Sequence, residues 1–200
     1  MRVLITGATG FVGRHLIPVL EERGHSLTLA ARKATLKDQL PSEKVDGGRR
    51  TVVVGEIGRH TDWAEALVGA DAVIHLAARA HVLDDTADDE EAFHEINARG
   101  TDRLVEQSIE AHVNRFVLMS SIGAVTTASE VSVTLDTPCM PGTAYGRSKL
   151  AAENALIERS AQSTMEWTIL RPTLVYGPGN PGNMERLIAA AVAPDRVDLR

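Results

Sequence analysis

The stretch Arg2-Val3-Leu4-Ile5-Thr6-Gly7-Ala8-Thr9-Gly10-Phe11-Val12-Gly13 decides how this 200-residue chain is read. Arg2 to Thr6 is a short, mostly apolar and β-branched run, the signature of a strand buried on both faces. Phe11 to Arg23 has helical patterning and stops at Gly24. Between strand and helix stand Gly7, Gly10 and Gly13, three residues apart. Glycines at that spacing allow a tight turn, close approach of backbone to a pyrophosphate, and close helix–strand packing. The helix start then offers free N–H groups and a partial positive charge to phosphate. In this strand–loop–helix setting the run is a spacing variant of the dinucleotide fingerprint, with Thr9, Phe11 and Val12 beside the phosphates.

Working outward, strand and helix signals alternate. Ser26 to Ala31, Thr51 to Val54, Ala72 to Leu76, Arg115 to Met119 and Trp167 to Leu170 read as strands. Ala34 to Arg50 is polar and glycine-containing and reads as a surface connection with some helix. A long helix is expected over Asp89 to Ala111, and another through Tyr145 to about Ala161. Such alternation implies an α/β fold, a doubly wound parallel sheet of six or so strands with helices on both faces. The acidic group Asp84, Asp85 and Asp88 to Glu91 reads as a solvated loop and helix start, where acids complement the dipole.

Composition narrows the function classes. Hydrophobic content of 44% with 24% charge fits one globular domain with a sizeable core. A net charge of -6 argues against nucleic acid or an anionic membrane as partner. No apolar stretch is long enough to span a bilayer, and the N-terminus lacks a signal-peptide region. Cys139 is the single cysteine, so no intramolecular disulfide forms and a cytoplasmic, reducing home is expected. The seven histidines are scattered without ligand spacing, so no metal site is expected.

The second informative run is Tyr145-Gly-Arg-Ser-Lys149. Positions i and i+4 share a helix face, so Lys149 is expected to reach beside Tyr145 and favour its phenolate. Lowering a tyrosine from about 10 to about 7 asks for roughly 4 kcal/mol of positive potential. Lys149 together with an oxidised nicotinamide ring could supply it. At the end of the second strand the chain reads Ala30-Ala31-Arg32-Lys33, with no acid to bind a ribose 2′-hydroxyl. Arg32 instead matches a 2′-phosphate, which favours NADP(H) while leaving NAD(H) open.

The Gly7/Gly10/Gly13 loop, His75-Leu-Ala-Ala78, Asn97, Ser120-Ser121, Tyr145-x-x-x-Lys149 and Arg171-Pro-Thr-Leu-Val-Tyr-Gly-Pro178 stand together in an order that resembles the extended short-chain dehydrogenase/reductase family, in its epimerase/dehydratase branch. Ala77-Ala-Arg-Ala-His81-Val and Gly182-Asn-Met are similar to the nucleotide-sugar 4-epimerases and 4-ketoreductases.

The resemblance implies a Rossmann domain and oxidoreduction at a sugar carbon. It implies Tyr145 as general acid/base, Lys149 lowering its pKa and holding the nicotinamide ribose, and Ser121 hydrogen-bonding the reacting oxygen. Asn97 would hold the strand–helix geometry and help a proton relay. Glu56 and Ile57 would flank the adenine, where the family more often has Asp. The backbone of Leu76, Ala77 and Ala78 would approach the cofactor, and Pro172 to Val175 would line the nicotinamide side. Arg79, His81, Ser121 and Asn183 would meet the substrate, a nucleotide sugar or another small carbonyl compound. His75 is read as a satisfied core histidine.

Two departures stand out. The segment Ile122-Gly-Ala-Val-Thr-Thr127 differs from the family's usual run, so in another register Ile122 takes the slot given to Ser121. Relatives also continue well beyond this length, so residues 1–178 are expected to form the dinucleotide domain and residues 179–200 the start of a substrate lobe that is largely absent. The family further implies a homodimer through the helices that hold Asn97 and Tyr145, with Leu104, Ile109, Leu150 and Leu156 as apolar candidates. Three alternatives stay open: a reductase of a small ketone, a reductase of a steroid-like substrate, and a cofactor-binding domain without turnover.

Overall fold

A computed structural model describes residues 1–33, 48–80 and 87–180. Its centre is a six-stranded parallel sheet in the order β3-β2-β1-β4-β5-β6. The strands are β1 (Arg2–Thr6), β2 (Ser26–Ala31), β3 (Arg49–Val53), β4 (Ala72–His75), β5 (Arg115–Met119) and β6 (Glu166–Leu170). The helices are α1 (Phe11–Glu22), α2 (Ala64–Leu67), α3 (Ala87–Phe93), α4 (Gly100–Glu110) and α5 (Ala144–Ser160). A π-helical turn over His94–Arg99 joins α3 to α4, and a 3-10 turn over Ile122–Ala124 follows β5.

The sheet is covered on both faces, as the unbroken apolar runs require. Alternate residues of β1 point to opposite sides. Val3 and Ile5 pack with Ile17 of α1 and with Leu27 and Leu29 of β2. Leu4 points the other way, into a core of Trp63, Val73, Leu104, Phe116, Leu118 and Leu156. Strand order reverses direction between β1 and β4, and the crevice at that switch is where α/β sheets of this kind take ligands.

Several expectations need correction. Arg49 and Arg50, read as part of the connection, belong to β3, which ends at Val53. Both guanidiniums have local partners that keep them at the sheet. Arg49 forms a buried ion pair with Glu21 of α1 at 2.6 Å. Arg50 donates through Nε to Thr28 Oγ1 and through Nη2 to the Glu65 carbonyl. The one long helix expected over Asp89 to Ala111 is interrupted by the π-helical turn. Leu104 and Leu156 lie fully buried against the sheet rather than outward, Ile109 packs on the same core, and Leu150 is half-buried. The outer groove between α4 and α5 is lined by Asp102, Ala151, Asn154, Ala155, Glu158 and Arg159.

Candidate active site

The glycine loop closes on the end of β4. Gly7 has φ +70, a conformation costly for residues with a Cβ. A Cβ there would also lie 2.7 Å from the Ala77 backbone nitrogen. At Gly13, an added Cβ would lie 2.4 Å from the Gly7 carbonyl oxygen, so the first turn of α1 sits directly on the loop. No side chain caps α1, and its first turn carries no acid. Its leading N–H groups thus face outward beside Gly10, the arrangement that receives phosphate.

From this loop runs a cleft of about 410 Å³. Gly7, Thr9, Gly10, Arg32, Glu56, Ile57, Leu76, Ala77 and Ala78 all line it, as read from the sequence. Arg79, read as a substrate contact, lines it too, and so do Ala30, Val54 and Ile96, which sequence reasoning missed. Val54 and Ala30 sit at strand C-termini, so sheet register was the signal available for them. Phe11, Val12 and Gly13 form the adjoining helix start. The uncapped helix start, the cleft and Arg32 are a donor set that fits a dinucleotide.

In this cleft the Arg32 guanidinium stands 3.7 Å from the Glu56 carboxylate, both about two-thirds exposed. A carboxylate is thus present beside Arg32, contributed by the β3 loop rather than β2. The same loop is clamped from below. Glu95, in the π-helical turn, accepts from the Arg59 backbone N–H at 2.9 Å and from its guanidinium at 2.8 Å. These bonds, Arg59 foremost, hold the Glu95 carboxyl down at about 2.

The second group gathers past the ends of β5 and β6. Ser121 Oγ accepts from the Gly123 N–H, opening the 3-10 turn, and Thr143 Oγ1 accepts from the Gly146 N–H, capping α5. The two turns abut, since a Cβ on Gly146 would lie 2.2 Å from the Gly123 carbonyl oxygen. Ser121 and Tyr145 are thereby neighbours: a Cβ on Gly123 would lie 3.3 Å from Ser121 Oγ and 4.0 Å from the Tyr145 ring. Partial burial raises the Tyr145 hydroxyl above its ordinary value, and the neighbouring Ser121 hydroxyl works against that rise.

Lys149 departs from expectation. Its ammonium is buried and donates to the Met119 carbonyl at 2.6 Å. Burial brings Lys149 down to about 8, opposed by Glu153. The physical reason is its depth: the side chain runs under the helix toward the end of β5.

Asn97 serves the geometry. Its Oδ1 accepts from the Arg79 N–H at 2.7 Å, and its Nδ2 donates to the Arg79 carbonyl and to Ser148 Oγ, each at 3.0 Å. Both amide hydrogens are therefore committed, clasping the segment after β4 to α5 one residue before Lys149. Asn97 lies within the π-helical turn, an irregularity frequent at functional sites.

Beneath it, His75 is satisfied, as expected. Thr101 Oγ1 donates to the Asn97 carbonyl at 2.6 Å, so it must accept from His75 Nε2 at 3.0 Å. With that proton on Nε2 and the buried ring neutral, Nδ1 accepts from Thr6 Oγ1 at 2.6 Å, and the same hydroxyl oxygen accepts the Ala77 N–H. The imidazole is thus the neutral Nε2–H tautomer. Burial first, and the Lys149 charge second, hold it at about 3.

Of the remaining residues, Pro172 accepts the Ile122 N–H at 2.9 Å, and Val175 is partly exposed nearby. His81 and Asn183 lie outside the described residues. Among the described residues no cluster of His, Cys, Asp and Glu could hold a metal, and no helix is long and apolar enough to cross a membrane.

A parallel sheet with a glycine loop at its switch point and a Ser–Tyr pair beyond β5 defines a dinucleotide-binding protein of the short-chain dehydrogenase/reductase type. The chain belongs to the NAD dependent epimerase/dehydratase family, whose profile matches residues 3–194. It is 37% identical over 190 residues to a UDP-glucose 4-epimerase of Vibrio cholerae, covering 93% of this chain and 55% of that protein. A 3-beta-hydroxysteroid dehydrogenase of Mycolicibacterium neoaurum is 30% identical over 185 residues, covering 90% of this chain and 49% of that protein. Among solved structures, MoeE5 in complex with UDP-glucuronic acid and NAD superposes with a TM-score of 0.80 at 31% identity, over 95% of this chain and 61% of that one. The chain spans about half the length of the curated relatives it matches.

Proposed function

We propose that the chain binds a nicotinamide dinucleotide in the cleft and acts at a hydroxyl- or keto-bearing carbon of a nucleotide-linked sugar. The observation that carries this reading is the placement of Ser121 beside Tyr145 at the same edge of the parallel sheet as the cleft. When bound, the nicotinamide would supply the hydride acceptor and donor. Ser121 and Tyr145 would grip the reacting oxygen between two hydroxyls. Tyr145 in its protonated form donates to a carbonyl oxygen as that carbon is reduced, and in reverse it takes the hydroxyl proton. Positive charge for the reverse step would come from Lys149, once its ammonium turns from the Met119 carbonyl toward the ribose.

Support for a sugar substrate comes from the likeness to the Vibrio cholerae epimerase and to MoeE5. Arg32 supports NADP(H), since a 2′-phosphate would replace Glu56 as its partner, and an exposed pair 3.7 Å apart offers little resistance. A homodimer through the outer faces of α4 and α5 belongs to the same reading. So does a reducing cytosol as the home of a protein whose one cysteine is Cys139.

A steroid-like or small ketone is the second reading. It draws on the likeness to the Mycolicibacterium neoaurum dehydrogenase and on exposed Met140, Leu174 and Tyr176 on segments flanking Ser121 and Pro172.

The test follows the absorbance of reduced nicotinamide after the protein is mixed with NAD+ or NADP+ and UDP-glucose or UDP-glucuronic acid. The wild-type chain should generate the signal and Tyr145→Phe should not, while dinucleotide binding survives. Equal signals would remove the phenol from the mechanism.

A further inference from the structure

Glu153 is fully buried, one helical turn past Lys149 on the same face of α5, and Tyr145 lies one turn before. A carboxylate at such depth must have partners. Arg171, the first residue after β6, donates from Nε to Oε1 at 3.0 Å and to Oε2 at 3.1 Å, and from Nη2 to Oε2 at 2.5 Å. Ser120 Oγ donates to Oε1. Glu153 also supports the charge of Lys149.

The flanking backbone extends this junction to both catalytic segments. The Ser120 N–H donates to the Leu170 carbonyl at 2.7 Å, and the Ile122 N–H donates to the Pro172 carbonyl at 2.9 Å. Ser121 lies between these two bonds. One carboxylate therefore ties α5, the segment after β5 and the segment after β6 at the residues adjoining Ser121, Lys149 and Pro172.

We infer that Glu153, paired with Arg171, is a positioning residue that sets Lys149 and Ser121 relative to the segment after β6 and so governs how the nicotinamide half of the dinucleotide is held. The inference rests on the reading that the cleft takes a dinucleotide with Lys149 at its nicotinamide ribose. A buried pair could instead serve the fold alone, and buried ion pairs are weak evidence for stability in any case. Replacing both partners by apolar residues of similar volume leaves no orphaned charge and is often neutral for stability. That makes the two roles separable.

The experiment compares calorimetric affinities for NAD+ and for ADP, which lacks the nicotinamide ribose, in wild type, Glu153→Gln, the double variant Glu153→Leu/Arg171→Met, and Lys149→Met. Thermal midpoints are recorded for each. The double variant should keep its midpoint and its ADP affinity within about twofold, while NAD+ binding weakens about tenfold, the loss of one charge-assisted hydrogen bond. Glu153→Gln should shift the same ratio in the same direction. If the double variant binds NAD+ and ADP as wild type does, Lys149 stands without the pair and the inference is overturned. If it loses both affinities together, or fails to fold, the pair serves the fold and the inference is equally overturned. The underlying reading fails differently: wild type then shows no preference of NAD+ over ADP, or Lys149→Met leaves that preference intact.

Discussion

Gly7 and Ala77 approach so closely that a Cβ on the glycine would lie 2.7 Å from the alanine's backbone nitrogen. The approach joins the turn after β1 to the turn after β4, across the point where strand order reverses. Gly7→Ala should therefore lower stability by about 1–3 kcal/mol, from its φ of +70 and the overlap together. Urea unfolding checks this. An unchanged midpoint would mean the two turns have room that the geometry denies them.

His75 carries a prediction about protonation. Its folded value of about 3 lies below the unfolded value of 6.5, because burial penalises the imidazolium. Below pH 6.5 the unfolded chain binds a proton that the folded chain refuses, so stability falls as pH drops toward 3 and levels below it. At most about 4–5 kcal/mol rides on this group. Nitrogen-15 spectra of the imidazoles should show one ring that stays an Nε2–H tautomer down to about pH 4. Every histidine ring titrating near its ordinary value would contradict the network from Thr6 to Asn97.

Cofactor choice turns on Arg32 and Glu56. Arg32→Ala should weaken NADPH binding about tenfold and NADH binding much less, the loss of one charge-assisted contact. Glu56→Gln should strengthen NADPH binding, since it removes the carboxylate competing for the guanidinium. Equal effects on both cofactors would take Arg32 out of the selection.

The outer face of α4 and α5 can be tested without touching the cleft. Ala151 lies in the groove between the two helices, beside Arg159 and its partners Asp102 and Glu106. Ala151→Arg should convert a dimer to monomer in sedimentation at low micromolar protein while NADH binding is retained. A wild-type chain that sediments only as monomer would sink the dimer.

Much of this architecture was legible in the sequence, for reasons particular residues make plain. The Arg2–Thr6 run, the Gly7/Gly10/Gly13 spacing and the Tyr145–Lys149 interval are local patterns, and local patterns survive folding. What escaped the reading was set by long-range partners. Arg49 and Arg50 look like loop residues until Glu21, Thr28 and the end of α2 are brought beside them. The π-helical turn at His94–Arg99 follows no composition rule; Asn97 and its bonds to Arg79 and Ser148 account for its position. The Tyr145–Lys149 spacing gave a shared helix face correctly but not the direction of the ammonium, which the carbonyl of Met119 decides. Leu104 and Leu156 have the composition of an interface and the positions of a core.

The central claim is that the cleft beside the glycine loop is a dinucleotide site, and calorimetric titration with NADH and NADPH tests it most directly. Gly10 sits at the uncapped start of α1 with φ -70, a conformation any residue adopts, but a Cβ there would lie 3.1 Å from the Gly7 carbonyl oxygen, so Gly10→Val fills the phosphate position at some cost to the loop. The account predicts saturable one-site binding to the wild-type chain, a further response when UDP is added, and loss of dinucleotide binding in Gly10→Val, which remains folded with a modestly lowered thermal midpoint. A wild-type chain that binds neither dinucleotide, or a Gly10→Val variant that binds them equally well, would contradict it.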